Sequence, residues 1–251
     1  MEFDVAIVGA GIVGAACADS LSAAGLSVCV IEASGIGSGT TAAGMGHIVV
    51  MDDNEAQFAL TRYSQQLWHE LVTELPTNAE FENCGTIWIA IDSVEMSEVK
   101  RKQGFYSEHG VESEILDESS LRTAEPNLRE GLAGGLLVRS DSVVYQLVAT
   151  RFLIDRAKRR GADVVVGKRV IEINGTGVKL ADGEFITAKN VVNAAGSAAS
   201  DLSPGLKIVK RKGHLVITER YPNFARHQLV ELGYLKSAHG KSADSVAFNV
   251  Q

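Results

Sequence analysis

Three glycines near the amino terminus have the spacing of a turn that binds a dinucleotide. They stand at Gly9, Gly11 and Gly14, between an apolar run and a run of small residues. In such a turn the first glycine permits a tight bend, the second lets a pyrophosphate approach the backbone, and the third lets the helix pack closely on the sheet. The amides that begin the helix then face the phosphates. Glu32 ends the next apolar run, where a carboxylate accepts hydrogen bonds from ribose hydroxyls.

The elements around this turn are typical of a βαβ unit. The β-branched run 3–8 predicts a strand, the small-residue run 15–24 a helix ended by Gly25, and the run 27–31 a second strand. Two parallel strands joined by a helix predict a right-handed crossover. In this context the pattern favours a dinucleotide site over the alternative of packing glycines beside a surface acid.

The rest of the chain mixes helical and extended patterns. Helices are predicted at 54–75, 93–109, 116–128 and 144–160. Strands are predicted at 86–91, 134–138, 164–166, 170–173, 178–180, 185–187, 190–193, 214–218 and 245–250. The predicted fold class is therefore α/β, with a β-rich meander inserted between two parts of the dinucleotide domain.

Composition narrows the possible partners. The net charge of −7 gives no basic excess of the kind that binds a polyanion, so nucleic acid is not expected as a partner. The cysteines Cys17, Cys29 and Cys84 are odd in number and widely spaced, which predicts buried reduced thiols and neither a disulfide framework nor a metal site.

Both ends of the chain carry an expectation. The first residues lack a basic region, and glycines interrupt the first apolar run. We therefore expect neither a signal peptide nor a transmembrane segment. The expected location is the cytoplasm. The last apolar run reaches Gln251 with no turn after it. We therefore expect the chain to be truncated at its carboxyl end.

Several segments resemble the D-amino-acid oxidase and glycine oxidase family. The small-residue segment Gly35–Gly44 is similar to the family's loop after the ribose-binding acid, and Val191–Gly196 is similar to its strand and turn beside the cofactor. Further similar stretches are 121–128 and 211–215. Within the family, 46–51 and 226–234 resemble bacterial D-hydroxyproline or D-proline dehydrogenase subunits.

The resemblance implies a Rossmann-type FAD-binding domain interleaved with a substrate domain on a mixed or antiparallel sheet. The implied FAD segments are 1–80 and 144–205, and the implied substrate segments are 81–143 and 206–251. FAD is the implied cofactor. The residues implied to bind it are Gly9, Ala10, Gly11, Ile12, Val13, Gly14, Glu32, Ala33, Ser34, Ser38, Gly39, Thr40, Thr41, Ala43, Gly44, Met45, Val170, Ala194, Ala195 and Gly196.

The activity implied by the resemblance is oxidation of a D-amino or secondary amino acid, of the D-proline or D-hydroxyproline type, to an imine by hydride transfer to flavin N5. Such a reaction needs positioning more than an acid or base. His47 is expected near the flavin or, alternatively, as a structural histidine. Tyr234 and Phe248 are expected to line the substrate pocket or to belong to the core.

Two alternatives stay open at this point. One is oxidation of another family substrate such as glycine, sarcosine or glycerol 3-phosphate. The other is a truncated, non-catalytic subunit that binds FAD or a partner chain. The expected partners are therefore a small amino-acid substrate and either a hetero-oligomer or a chain that complements the carboxyl end.

Overall fold

The computed structural model describes residues 2–52, 54–210, 213–233 and 248–251. Tertiary contacts divide the chain into two compact units whose segments alternate along the sequence. Unit 1 comprises Met1–Gly46, Leu75–Ala79 and Tyr145–Val216, and unit 2 comprises His47–Glu74, Glu80–Val144 and Ile217–Gln251. The boundaries implied by the family resemblance remain a prediction.

Helices and strands alternate through most of the described residues. In chain order they are β1 (Glu2–Val8), α1 (Ile12–Ala23), β2 (Val28–Glu32), β3 (His47–Ile48), α2 (Glu55–Leu71), β4 (Thr86–Ala90), α3 (Ser93–Glu108), β5 (Ser113–Asp117), α4 (Glu118–Ala124), β6 (Gly134–Val138), β7 (Ser142–Val143), α5 (Gln146–Arg159), β8 (Asp163–Val166), β9 (Val170–Asn174), β10 (Gly177–Leu180), β11 (Phe185–Asn193), α6 (Ala199–Leu202), β12 (Gln228–Glu231) and β13 (Asn249–Val250). Short 3₁₀ turns lie at Val72–Glu74, Thr77–Ala79 and Gly196–Ala198.

Unit 1 is built on a mixed sheet. In the described residues its strand order is β8-β2-β1-β11-β10-β9. Strands β8, β2, β1 and β11 are parallel, and β9 and β10 continue the sheet as an antiparallel meander. Buried apolar side chains of β1, β2 and the meander share one core, which includes Val8, Ile31, Val170 and Val178. The predicted βαβ unit is confirmed.

In unit 1, α1 is joined to the end of α5 by partly buried charges. The carboxylate of Asp19 accepts hydrogen bonds from Arg160 Nη1 at 2.5 Å and lies 3.1 Å from Arg156 Nε. Charge-assisted pairs of this kind are stronger than neutral hydrogen bonds when they are partly shielded from water. They hold the helix after the glycine turn.

Unit 2 is built on a second mixed sheet. Its strand order in the described residues is β13-β12-β4-β6-β5. Strands β4 and β12 are parallel, and the other neighbours are antiparallel. The short pair β3 and β7 is antiparallel, with His47 opposite Val143. The predicted α/β fold, with a mixed second sheet, is confirmed.

Some predicted elements were wrong in type or extent. The predicted helix 116–128 is instead strand β5 followed by α4, because Asp117 ends the strand and caps the helix by accepting from the amide of Ser120 at 2.8 Å. The separate strands 185–187 and 190–193 are one strand, β11. No strand forms at 214–218 in the structure, where Val216 and Ile217 are exposed. Strands β3, β7 and β12 were not predicted.

The cysteines are free and burial affects each of them. Cys29 is buried, while Cys17 and Cys84 are partly buried. Burial raises the pKa of Cys29 to about 11. None of the helices in the described residues is long and apolar enough to span a bilayer. The same residues contain no group of three or more side chains arranged to bind a metal ion.

Candidate functional site

The glycine turn lies at the carboxyl end of β1, and at two of its glycines a side chain would clash with the backbone. A Cβ on Gly14 would lie 2.0 Å from the carbonyl oxygen of Gly9, and Gly9 itself has a φ of +102° with Ala194 close by. Gly11 is different, since a Cβ there would meet only the Thr41 hydroxyl, at 3.1 Å. The surface over Gly11 is therefore open apart from the Thr41 hydroxyl, and Gly11, the N-cap residue of α1, supplies no side-chain cap of its own.

Glu32 is hydrogen-bonded to the glycine turn. Its Oε2 accepts from the amide of Ala10 at 2.8 Å, and its Oε1 accepts from the amide of Ser34 at 2.8 Å. Each carboxylate oxygen has a second lone pair, so both can also accept from a hydroxyl. The arrangement fixes the acid beside the turn, and its predicted role as a ribose acceptor stays a prediction.

The segment 33–46 folds as successive turns against the same helix start. The amide of Gly37 donates to the carbonyl of Ala10 at 2.9 Å, and the amide of Ile12 donates to Thr41 Oγ1 at 3.0 Å. Thr41 thus lies at the N-terminus of α1. The other residues of this segment implied to bind the cofactor are Ala33, Ser34, Ser38, Gly39, Thr40, Ala43, Gly44 and Met45.

Gln146, the first residue of α5, holds this segment and was missed by sequence reasoning. Its side-chain Nε2 donates to the carbonyl of Thr41 at 3.1 Å and to that of Gly44 at 2.7 Å. No local motif marks Gln146, because its partners lie about a hundred positions earlier in the chain. Only the three-dimensional structure brings them together.

The turn after β11 completes the arrangement in unit 1. The amide of Ala194 donates to the carbonyl of Val8 at 2.9 Å, and a Cβ on Gly196 would lie 3.5 Å from Thr40 Oγ1. The structure therefore brings the 194–196 turn beside both the glycine turn and the segment 33–46. Three separate stretches of sequence meet at the carboxyl ends of β1, β2 and β11.

Val170 occupies a different position from the other implied cofactor residues. It begins β9 and is buried in the core with Val8 and Ile31. Just before it, the amides of Gly167 and Lys168 donate to the carbonyl of Glu32 at 2.8 and 3.1 Å. The segment is thus attached to the end of β2, while the Val170 side chain packs in the core.

His47 lies in β3 of unit 2. Its Nε2 is buried and has no hydrogen-bond partner among the described residues. Burial lowers the pKa of His47, and a hydrogen bond that its ring donates to Gln251 only partly offsets this. Burial therefore favours the neutral ring, and Nε2 can accept or donate one further hydrogen bond.

Of the two aromatic residues predicted to line the substrate pocket, the structure describes one. Phe248 is 41% exposed, so it is not a core residue of the described part of the chain, and its carbonyl accepts from the amide of Glu231 at 3.2 Å. Tyr234 lies outside the described residues. Contact of either side chain with a substrate stays a prediction.

The residues present fit the adenosine and pyrophosphate portions of FAD. An open backbone at Gly11, the start of helix α1 and a fixed carboxylate are the groups that a pyrophosphate and a ribose require. The residues that would hold these portions are Gly11, Ile12, Val13 and Glu32.

Fold and site together define a dinucleotide-binding domain of the Rossmann type. The model of the FAD dependent oxidoreductase family matches residues 4–240, and the chain belongs to this family. The family's cofactor is FAD, as the sequence predicted.

Individual relatives are more distant. A glycerol 3-phosphate dehydrogenase of Caloramator mitchellensis is 26% identical, over 87% of this chain and 48% of its own length. The hydrogen cyanide synthase subunit HcnC of Pseudomonas protegens is 26% identical, over 88% of this chain and 65% of its own. Among solved structures, a glycine oxidase of Bacillus cereus is 28% identical with a TM-score of 0.71, over 80% of this chain and 58% of its own. The chain thus spans about half to two thirds of the length of these relatives.

Proposed function

We propose that this chain is the FAD-binding part of an enzyme that oxidises an amino acid, with D-proline or D-hydroxyproline as the substrate type. The observation that carries the FAD assignment is the hydrogen bond between Glu32 and the Ala10 amide, which fixes a ribose acceptor beside an open pyrophosphate turn. Likeness to a glycine oxidase supports the amino-acid substrate. The narrower D-proline type rests on the resemblance of the segments 46–51 and 226–234.

In this proposal FAD, when bound, supplies the acceptor for the two electrons removed from the substrate. The chain's own residues bind and orient. The amide of Val13 and the open backbone at Gly11 would hold the diphosphate, and the turn at 194–196 and the segment 33–46 would contact the rest of the cofactor. His47 would contact the substrate through Nε2. Because burial lowers its pKa and so favours the neutral ring, His47 can accept a hydrogen bond from a substrate ammonium group.

A second candidate is oxidation of a hydroxyl-bearing substrate. A glycerol 3-phosphate dehydrogenase is among the relatives, at an identity similar to that of the others. The FAD-binding residues would be the same for both reactions. The difference would lie at His47, because an alcohol has no ammonium group that could donate a hydrogen bond to its ring.

The oligomeric state is part of the same proposal. The relative HcnC is a subunit of hydrogen cyanide synthase, which supports a hetero-oligomer that includes this chain. Intact mass and co-purification would test this directly. A single polypeptide that binds FAD and oxidises substrate alone would contradict it.

The deciding experiment is an absorbance spectrum of the purified chain followed by anaerobic addition of substrates. We expect a flavin band that bleaches with D-proline or D-hydroxyproline and not with glycerol 3-phosphate. Bleaching by glycerol 3-phosphate alone would favour the second candidate. A protein that takes up no added FAD would overturn the assignment, and a flavin band that no substrate bleaches would favour a non-catalytic subunit.

A further inference from the structure

A buried polar cluster supports the segment 47–52 in unit 2 and has no part in the FAD site described above. The side chains of Lys102 and Asp52 are 0% and 3% exposed, and Asp141 is 0% exposed. Burying a charge costs free energy unless the charge is paired, so the position of such a cluster in the fold has to be explained. The members of this buried polar cluster are Asp52, Gln65, Thr86, Lys102, Tyr106 and Asp141.

Asp141 extends the pairing between β3 and β7. In this ladder His47 is opposite Val143 and Ile48 is opposite Ser142, so Asp141 stands at the next position. At this position the hydrogen-bond acceptor is a side chain instead of a backbone carbonyl, because Asp141 Oδ1 accepts from the amide of Val50 at 3.2 Å. The same oxygen accepts from Gln65 Nε2 at 3.1 Å, which anchors it to α2.

The opposite side of the segment is held by α3. The hydroxyl of Tyr106 donates to the carbonyl of Val50 at 3.0 Å. Lys102 forms an ion pair with Asp52 and lies 4.5 Å from the centre of the Trp88 ring. Val50 is therefore fixed through both its amide and its carbonyl. The strand that carries His47 ends at Ile48, two residues before Val50.

The second oxygen of Asp141 makes the group sensitive to pH. Oδ2 is buried and has no hydrogen-bond partner among the described residues, which disfavours the ionised form. Burial raises the pKa of Asp141 to about 7, and the surrounding donors and the charge of Lys102 offset this only in part. The other ionisable groups around this region are Asp52, which pairs with both Lys102 and Arg101, the Tyr106 hydroxyl, and Cys84 with Glu82 near it.

We propose that Asp141 is a positioning residue for His47: its carboxyl group, through Val50 and the β3–β7 ladder, sets where the imidazole ring lies, and gain or loss of its proton shifts that ring. The inference concerns the structure around His47 and can be tested without cofactor. Its importance for catalysis rests on the proposed function, in which His47 contacts the substrate.

The test follows the His47 ring by proton NMR as a function of pH. The Hε1 resonance is assigned with a His47→Gln variant. We expect the wild-type resonance to show two inflections, one from the ring itself and one near neutral pH from Asp141. Asp141→Asn keeps an acceptor for Val50 but cannot ionise, so its His47 resonance should lose the inflection near neutral pH. Asp155→Asn, an exposed change on α5, is the matched control and should leave both inflections.

A second variant keeps the test decisive if Asp141→Asn does not fold. Gln65→Leu removes a donor to Asp141 Oδ1 that favours the ionised form of Asp141, so the inflection near neutral pH should move to higher pH. A His47 resonance without the neutral inflection in wild type, or one that keeps it in Asp141→Asn, would overturn the proposal. These outcomes are independent of flavin bleaching, so failure here leaves the proposed function standing, and failure to bleach leaves this inference standing.

Discussion

The amide of Ala10 donates to the carboxylate of Glu32 across 2.8 Å, so the acid that ends β2 is bonded to the glycine turn that ends β1. This bond orients the acid before any ligand binds. An acid held in this way loses little freedom when a ribose is bound, which is the basis of preorganised binding.

Replacing that acid should weaken FAD binding. In Glu32→Gln one of the two amides, Ala10 or Ser34, would face an NH₂ group in place of an acceptor. We expect a loss of about 1 to 3 kcal/mol, or roughly a fivefold to 150-fold higher Kd for FAD, measured by quenching of flavin fluorescence. Glu172→Gln, on the exposed side of β9, is the control. Equal affinity in the two variants would refute the role given to Glu32.

Two glycines of the turn should respond in opposite ways to alanine. Gly14→Ala places a Cβ 2.0 Å from a backbone oxygen and should prevent correct folding of unit 1. Gly11→Ala meets only the Thr41 hydroxyl, so the protein should fold while its Kd for FAD rises at least about tenfold, because the Cβ occupies the path of the pyrophosphate.

Circular dichroism and FAD titration separate these effects. Gly104→Ala in α3, where nothing lies within 4 Å of the added Cβ, serves as the control for a harmless change. If Gly11→Ala bound FAD as tightly as wild type, the pyrophosphate would not pass over this residue.

Loss of the Gln146 side chain should loosen the segment 33–46. Gln146→Ala leaves the carbonyls of Thr41 and Gly44 without their donor, and each hydrogen bond of this kind contributes about 1 kcal/mol. We expect faster hydrogen exchange at Ala42, Ala43 and Gly44, with α5 unchanged, and a severalfold weaker affinity for FAD. Gln66→Ala on α2 removes an exposed amide and should change neither property. Unchanged exchange at Ala42–Gly44 would show that Gln146 does not hold this segment.

The buried Asp141 should make stability fall as pH rises. Its folded pKa of about 7 lies above the ordinary value of 3.8, so between these values the unfolded chain has released a proton that the folded chain keeps. The stabilisation is complete at low pH and is lost as pH rises through about 7, at up to about 1.4 kcal/mol for each pH unit.

Urea unfolding midpoints from about pH 5 to about pH 8 measure this slope. Asp141→Asn cannot ionise, so its midpoint should depend less on pH than that of wild type, while Asp155→Asn should follow wild type. Parallel curves for wild type and Asp141→Asn would contradict a protonated Asp141 in the folded state.

The parts of the fold that were predictable are those with local signals. The glycine turn, the helix stop at Gly25 and the strand 134–138 follow from residue types alone, and the structure has them where expected. Strand β12 was not predicted, because its residues show no clear alternation of apolar and polar side chains. It forms by pairing with β4. The run 214–218 failed in the opposite way, because a good strand pattern without a neighbouring strand gives no ladder.

The site shows the same division. Glu32 and the glycines are recognisable by spacing within a short stretch, but Gln146 and Asp141 act on segments that lie far away in the sequence. A glutamine at a helix start and an aspartate before a short strand are ordinary residues at the local level. Their roles depend on which backbone groups the fold brings to them, and no pattern in a single sequence reports that.

The ion pair between Asp4 and Lys189 joins residues 185 positions apart, next to the parallel pairing of β1 with β11. During translation β1 and β2 leave the ribosome long before β11 exists, so for most of synthesis one edge of β1 has no neighbour. Closing so long a loop is slow, and the exposed edge is open to pairing with other chains. The nascent protein should therefore depend on chaperones until β11 arrives, and slowing synthesis upstream of β11 should increase its aggregation.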